Sequence, residues 1–217
     1  MTNPRSVLVL GATGLVGGAL VNFLLRDPSV LSIVALVRQS SGLPHDPKLR
    51  VLIADFDRLR QHTDAFQVHQ IYCALGTTMR QAGTQVRFRL VDHDYPVTAA
   101  HIGRAQGATH YLLVSALGAN ASSRIFYNRV KGETERDIVQ VGFPSVTIAR
   151  PSLLVGPRAQ SRLAERVGAV LARLAPPAVR PIPAQDVAAA LTLAGRESRP
   201  GVQILRSREM LSATTRL

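Results

Sequence analysis

"VLVLGATGLVGGALVNFLL", Val7 to Leu25, is a short β-branched run, a turn carrying Gly11, Gly14 and Gly17, and then an apolar stretch. A strand that meets a glycine-rich turn and continues as a helix is the form in which such glycines carry meaning. Gly11 permits the tight turn, Gly14 lets backbone N–H groups approach a pyrophosphate, and Gly17 or Gly18 allows the helix to pack closely. The helix N-terminus then presents unpaired donors and a positive partial charge to an anion. The stretch therefore predicts a dinucleotide site, with Gly11, Ala12, Thr13, Gly14, Leu15, Val16 and Gly17 around the phosphates.

Outward from this turn the same grammar repeats. "SIVALV", "RVLIADF", "QIYCAL", "THYLLVSAL", "SVTIARP" and "GVQILRS" are short apolar runs flanked by turn residues, and helical stretches separate them. Runs without polar alternation are strands buried on both faces, and alternating β and α elements imply right-handed crossovers. The expected fold is α/β, a Rossmann-like doubly wound parallel sheet in a single domain. In "SSRIFYNRVKGETERDIVQVG" the predicted helix takes Ser122 or Ser123 as N-cap, buries Ile125, Val130, Ile138 and Val141, and stops at Gly142. A further amphipathic stretch runs from Gln160 to Leu174, and another helix begins near Pro183. Residues 151–217 must then complete the sheet and supply any substrate cover, which leaves room only for a small lid.

Two positions near the ends of the second and third strands bear on the cofactor. An NAD site usually offers an acidic residue about 20 residues beyond the glycine motif, for the ribose hydroxyls. This chain has Arg38 there, in "ALVRQSS". A guanidinium binds a ribose phosphate that a carboxylate would repel, so NADP(H) is expected over NAD(H). Asp55, in "VLIADFDRL" ahead of Phe56, is placed to accept the adenine amino group, and Asp57 is expected to cap the following helix.

The proton chemistry is expected further along. Tyr127 and Lys131 stand at i and i+4 and share a helix face. A free phenol titrates near pH 10, and a nearby ammonium favours the phenolate, which would bring Tyr127 toward useful acid–base work. Lys48 and Lys131 are the only lysines among 26 basic residues, so the choice of lysine at 131 is itself notable. Ser115 ends the fifth predicted strand, where open α/β sheets bind ligands, and can face the same crevice.

Composition narrows the partners. The formal charge is +12, but the arginines are spread along the chain without a block or a nucleic-acid-binding signature. An anionic small ligand accounts for the charge more economically than nucleic acid or a membrane surface, and a small-molecule substrate is expected. The single cysteine, Cys73, lies in an apolar run and is expected to be a buried, inert thiol. The six histidines show no metal-ligand spacing. No apolar run approaches the roughly 18 residues a membrane span needs, and the expected location is cytoplasmic.

Taken together, "LGATGLVGG", "CALGTT", "VDHDYP", "SALGA", "YNRVKGETE" and "RPSLLVGPR" make the chain resemble the atypical branch of the short-chain dehydrogenase/reductase superfamily that includes the Tat-interacting-protein-like oxidoreductases. The resemblance implies that Ser115 orients a substrate carbonyl, Tyr127 exchanges the proton, and Lys131 binds the nicotinamide ribose and tunes Tyr127. It also implies that Ala74, Leu75, Gly76 and Thr77 line the cofactor, and that Pro151, Leu153 and Leu154 touch its nicotinamide end. The implied activity is hydride transfer between NADP(H) and a small carbonyl or alcohol, with a non-catalytic NADP(H)-binding sensor or regulator as the alternative. Relatives of this kind often form homodimers.

Overall fold

A computed structural model describes residues 4–39, 42–156 and 180–217 of the protein. Seven parallel strands form one sheet in the order β3-β2-β1-β4-β5-β6-β9. They are β1 (Arg5–Leu10), β2 (Val30–Val37), β3 (Leu49–Ile53), β4 (Gln70–Cys73), β5 (His110–Val114), β6 (Ser145–Arg150) and β9 (Gly201–Arg206). A separate two-stranded pairing joins β7 (Leu154–Val155) to β8 (Ile182–Pro183). The strand order runs one way from β1 to β3 and the other way from β4 to β9. A crevice therefore opens between the carboxyl ends of β1 and β4.

Alternation along the strands divides the interior into two layers. Val7 and Val9 of β1 face the helices α1 (Leu15–Arg26) and α6 (Ala184–Glu197), packing with Leu20, Leu24, Val187 and Leu191. Leu8 and Leu10 face the opposite layer, with Phe56, Phe66, Ala99 and Ile138. That layer comprises a 3-10 segment (Phe56–Phe66), α4 (Tyr95–Ala105) and α5 (Phe126–Gln140). Burying both faces of β1, β4 and β5 explains why these strands lack polar alternation. β9, at the sheet edge, is the exception: its residues are exposed or half-buried throughout.

The approach to α4 is irregular. Two short helices, α2 (Met79–Ala82) and α3 (Gln85–Arg89), lead into a π-helical turn at Leu90–Asp94, and α4 continues from it. Such a turn inserts a residue into the helical repeat and is often found at functional sites.

Several sequence expectations meet the structure directly. All seven predicted strands form, and the helix expected near Pro183 starts at Ala184. The amphipathic stretch Gln160 to Leu174 lies outside the described residues. Two caps differ. α5 begins at Phe126 with Ile125 as its N-cap residue and no side-chain cap, because Ser123 Oγ is already engaged by the Ile125 N–H at 3.1 Å, turning the chain before the helix starts. Ile125 is accordingly 63% exposed instead of packing in the core. The 3-10 segment is capped by Asp55, whose side chain accepts the Asp57 N–H at 3.0 Å. Asp57, expected as the cap, sits inside the first turn, and its carboxylate accepts the Tyr95 hydroxyl at 2.5 Å.

Candidate functional site

The glycine turn behaves as its composition requires. Gly11 has φ +79°, and a Cβ there would lie 2.5 Å from the Ala74 carbonyl oxygen at the end of β4. Of the two candidates for close helix packing, Gly17 is the critical one: a Cβ would meet the Gly11 carbonyl oxygen at 2.0 Å, against 3.5 Å for the nearest atom to Gly18. The glycines thus fold the turn onto itself and onto β4. No side chain caps α1, whose first residue is Leu15 with Gly14 at the N-cap. Its first N–H groups therefore face the crevice end of the sheet with the positive pole of the helix behind them.

Among the described residues three hollows flank this turn; one of about 810 Å³ lies on the α1 side against Gly18 and Asn22, and the other two open toward the crevice. The larger, about 860 Å³, is lined by Gly14, Leu15 and Val16, by Ala74, Leu75, Gly76 and Thr77, and by Ser115, Tyr127 and Lys131. Pro151, Leu153 and Leu154 close it from the loop after β6. The smaller, about 250 Å³, is lined by Gly11, Thr13, Leu36, Arg38, Phe56 and Tyr95 and shares Gly14 and residues 74–76 with the first. One continuous groove thus runs from Arg38 past the glycine turn to Tyr127. Three expected residues stand apart from it. Ala12 and Gly17 are buried beneath the turn, and Asp55 lines neither hollow.

At the far end of the groove, Ser115 follows β5 and its N–H bonds the Ala149 carbonyl at 2.8 Å. Its side chain is buried, and Oγ has no hydrogen-bond partner. An unpaired buried hydroxyl costs stability unless something completes it, which is the mark of a group kept for a ligand. Tyr127 lies in the first turn of α5, its ring 5.5 Å from that of Phe88 in α3. α5 itself is pressed against the loop after β5: a Cβ on Gly132 would lie 2.1 Å from the Ala121 nitrogen. The Asn120 N–H also bonds the Asn128 carbonyl at 3.0 Å.

Lys131 is buried and paired with Asp92 from the π-helical turn, at 2.7 Å. This pairing corrects the expected tuning of the tyrosine. Burial pushes the Tyr127 phenol above its usual range; the Lys131 charge pulls it down, and the Asp92 charge pushes it up again, with a net rise. The lysine does not deliver a lowered phenol, because burial outweighs its pull and the Asp92 carboxylate offsets part of it. Lys131 is itself raised: burial works against its charge, but Asp92 and Tyr127 together outweigh the burial. The sequence reading missed Asp92 as a site residue, although the motif that holds it, "VDHDYP", was in view. Cys73 is buried at the end of β4, and burial pushes its thiol up, as befits an inert side chain.

The residues present fit a nicotinamide dinucleotide. Uncapped helix donors and positive-φ glycine stand at the phosphate position, a guanidinium stands 21 residues beyond Gly17, and an unpartnered hydroxyl stands at the reactive end. Fold and site together define a dinucleotide-binding protein of the Rossmann class.

Comparison with known proteins makes this specific. The family described as NAD(P)H-binding matches residues 11–194, and the chain belongs to it. The rat (Rattus norvegicus) protein HTATIP2 is 34% identical over 164 residues, covering 74% of this chain and 67% of the relative. The mitochondrial protein FMP52 of Saccharomyces cerevisiae is 33% identical over 158 residues, covering 71% and 68%. Among solved structures, WbmH of Bordetella bronchiseptica in complex with NAD+ superposes with a TM-score of 0.73 at 13% identity, over 94% of this chain and 76% of that one. MoeE5 in complex with UDP-glucose and NAD gives 0.70 at 18% identity, over 97% and 81%. With the Tat-interacting-protein relative and this shared fold, the protein is a member of the atypical short-chain dehydrogenase/reductase group, and its cofactor is a nicotinamide dinucleotide. Among the described residues no helix is long and apolar enough to cross a membrane.

Proposed function

We propose that the protein is an NADP(H)-dependent oxidoreductase acting on a small carbonyl or alcohol. The observation that carries this reading is the meeting of the unpartnered Ser115 hydroxyl, Tyr127 and Lys131 in one groove with the glycine turn. The cofactor supplies or accepts hydride when bound. The α1 N-terminus would hold its pyrophosphate and Arg38 its ribose phosphate, with Phe56 lining the adenine end of the groove; Asp55, expected at the adenine, stands outside it. Ala74–Thr77 would flank the cofactor, with Pro151, Leu153 and Leu154 at the nicotinamide end.

The protein's own side chains divide the remaining work. Ser115 Oγ donates to the substrate oxygen and fixes it against Tyr127. Tyr127 gives or takes the oxygen's proton. Lys131, buried below them, keeps donors free beyond its Asp92 contact to grip the nicotinamide ribose. Placement in the cytosol, a homodimeric state, and freedom from nucleic-acid partners belong to the same proposal; fractionation, sizing and a nucleic-acid binding assay respectively test them.

A screen of small aldehydes and ketones, read as NADPH consumption, tests the reading. Wild type turns over a member of the library. Tyr127→Phe retains NADPH affinity and loses turnover by about 10²- to 10⁴-fold, the usual span for a general acid. Tight NADPH binding with no turnover of any carbonyl would overturn the enzymatic reading in favour of a cofactor sensor.

A further inference from the structure

Asp92 and Lys131 form a charge pair sealed from water, with side chains 1% and 8% exposed and 2.7 Å between Oδ1 and Nζ. Oδ2 of Asp92 accepts the Thr77 N–H at 2.8 Å, so the carboxylate is fixed from both sides. Gly76 roofs the pair: a Cβ there would sit 3.4 Å from Asp92 Oδ1 and 3.8 Å from Lys131 Nζ. The π-helical turn at Leu90–Asp94 carries Asp92 at this point, while its neighbour His93 engages Asp137 of α5 at 2.9 Å. Consecutive residues of one turn therefore both grip α5, the helix that bears Tyr127.

We propose that Asp92 is a positioning residue whose buried carboxylate offsets the charge of Lys131 and so limits how far that ammonium draws Tyr127, the proton donor of a reduction, toward phenolate. The donor role rests on the oxidoreductase reading above; the offset of charge does not. An isolated ammonium would draw the phenol toward phenolate, whereas an ammonium paired at 2.7 Å acts as a dipole whose influence falls off faster with distance. The charged groups acting on Tyr127 are Lys131 from its own helix and Asp92 from the π-helical turn. α3 contributes the apolar ring of Phe88, and the Cys73 thiol at the end of β4 feels the charges of the pair. The Arg89 to Glu133 ion pair between α3 and α5 is closed on itself. In the reduction, the Tyr127 O–H bond breaks as an O–H bond forms on the carbonyl oxygen, hydride arrives at the carbon, and water returns a proton to the phenolate.

The chain contains four tyrosines and no tryptophan, so the ultraviolet absorbance of tyrosinate can be followed without indole background. Tyr72 and Tyr95 are each pushed up to about 12, chiefly by burial. Tyr111 is pushed higher still by burial, so Tyr127 is expected to be the first phenol to ionise, and Tyr127→Phe assigns that step by its loss. In Asp92→Asn, with Lys131 left unmatched, the first ionisation moves down by about one to two pH units. A folded Asp92→Asn protein whose first phenol ionises where wild type does would overturn the proposal. The neutral double variant Asp92→Asn/Lys131→Met provides an independent reading if the single variant fails to fold. It should ionise within about half a unit of wild type, since the pair it removes carries little net charge. A rise of about one unit or more in the double variant would show that Lys131 had acted uncompensated, and the proposal would fall. Neither titration needs a substrate, so a carbonyl screen without turnover defeats the oxidoreductase reading alone.

Discussion

At the amino-terminal end of the sheet, Arg5 of β1 pairs with Asp27 at 2.7 Å, and Arg196 of α6 reaches the same carboxylate at 2.9 Å. Gln70 at the start of β4 donates to the Gly195 carbonyl and to Ser198. His110 at the start of β5 lies 2.9 Å from the Thr147 hydroxyl, and Ser145 at the start of β6 donates to the Arg199 carbonyl. Apart from Arg5 Nε, these side-chain polar groups are partnered. At the carboxyl end of the same strands, the Ser115 hydroxyl is left unpaired, the α1 N–H groups are uncapped, and Lys131 is held by a carboxylate from outside the sheet. Sheet and helices are shared, so the contrast isolates what differs. One end spends its polar groups on tying α6 and β9 to the sheet; the other withholds them for something not part of the chain.

The contrast can be broken most forcefully at Asp27. Asp27→Ala leaves Arg5 buried without its partner and is expected to cost about 3–5 kcal/mol in denaturant unfolding. The folded fraction should bind NADPH as wild type does. A parallel loss of cofactor affinity would mean that the two ends are not separable.

Acid tests the same end on a smaller scale. Burial, helped by the Arg5 charge, holds His110 down at about 4 against an ordinary 6.5. The native state thus favours the neutral ring. Its contribution is complete above pH 6.5 and declines as pH falls toward about 4, amounting to on the order of 3 kcal/mol. Burial acts to raise Asp27, but hydrogen bonds from Ser29 and Arg196 and the charge of Arg5 outweigh it and hold the carboxyl at about 2. That contribution is present above pH 3.8 and is lost as pH falls through about 2. Unfolding curves at pH 7 and pH 4 should differ accordingly, and His110→Gln should flatten the difference. A pH-independent stability over this window would remove the buried network from the account.

The groove should respond in affinity rather than stability. Arg38→Asp is expected to lower the NADPH-to-NADH preference by about tenfold or more, roughly 1.4 kcal/mol, with no shift in melting. Unchanged discrimination would leave Arg38 as an ordinary surface charge. Ser115→Ala should show the smallest structural effect, within about 0.5 kcal/mol, because the hydroxyl has no bond to lose. If that substitution costs well over 1 kcal/mol, Ser115 belongs with the tied end and the contrast fails.

What sequence could reveal follows from the same division. The strands were legible because burial on both faces writes unbroken apolar runs, and the glycine turn because Gly11 and Gly17 answer to local sterics. Ser115, Tyr127 and Lys131 converge as expected, since strand ends and an i, i+4 pair fix their direction. Asp92 was not legible as a partner of Lys131. The two are 39 residues apart, and only the π-helical turn aims the carboxylate at the ammonium. The sign of the tyrosine shift was not legible either, because it is set first by the burial of the phenol and then by the Asp92 charge, and both depend on the packing of α5. The caps expected at Ser122 or Ser123 and at Asp57 stand instead at Ile125 and Asp55, two or three residues away, because short-range turns competed with helix initiation.

The contact of Gly132 with the Asn120–Ala121 backbone has a practical consequence for redesign. Main chain against main chain sets the distance between Ser115 and Tyr127, so no choice of side chain there can adjust it gradually. The loop after β6 is different: Leu153 is 68% exposed and borders the same hollow. Anyone seeking to change which molecule this protein accepts should diversify Ser152 and Leu153 and leave residues 115–132 untouched.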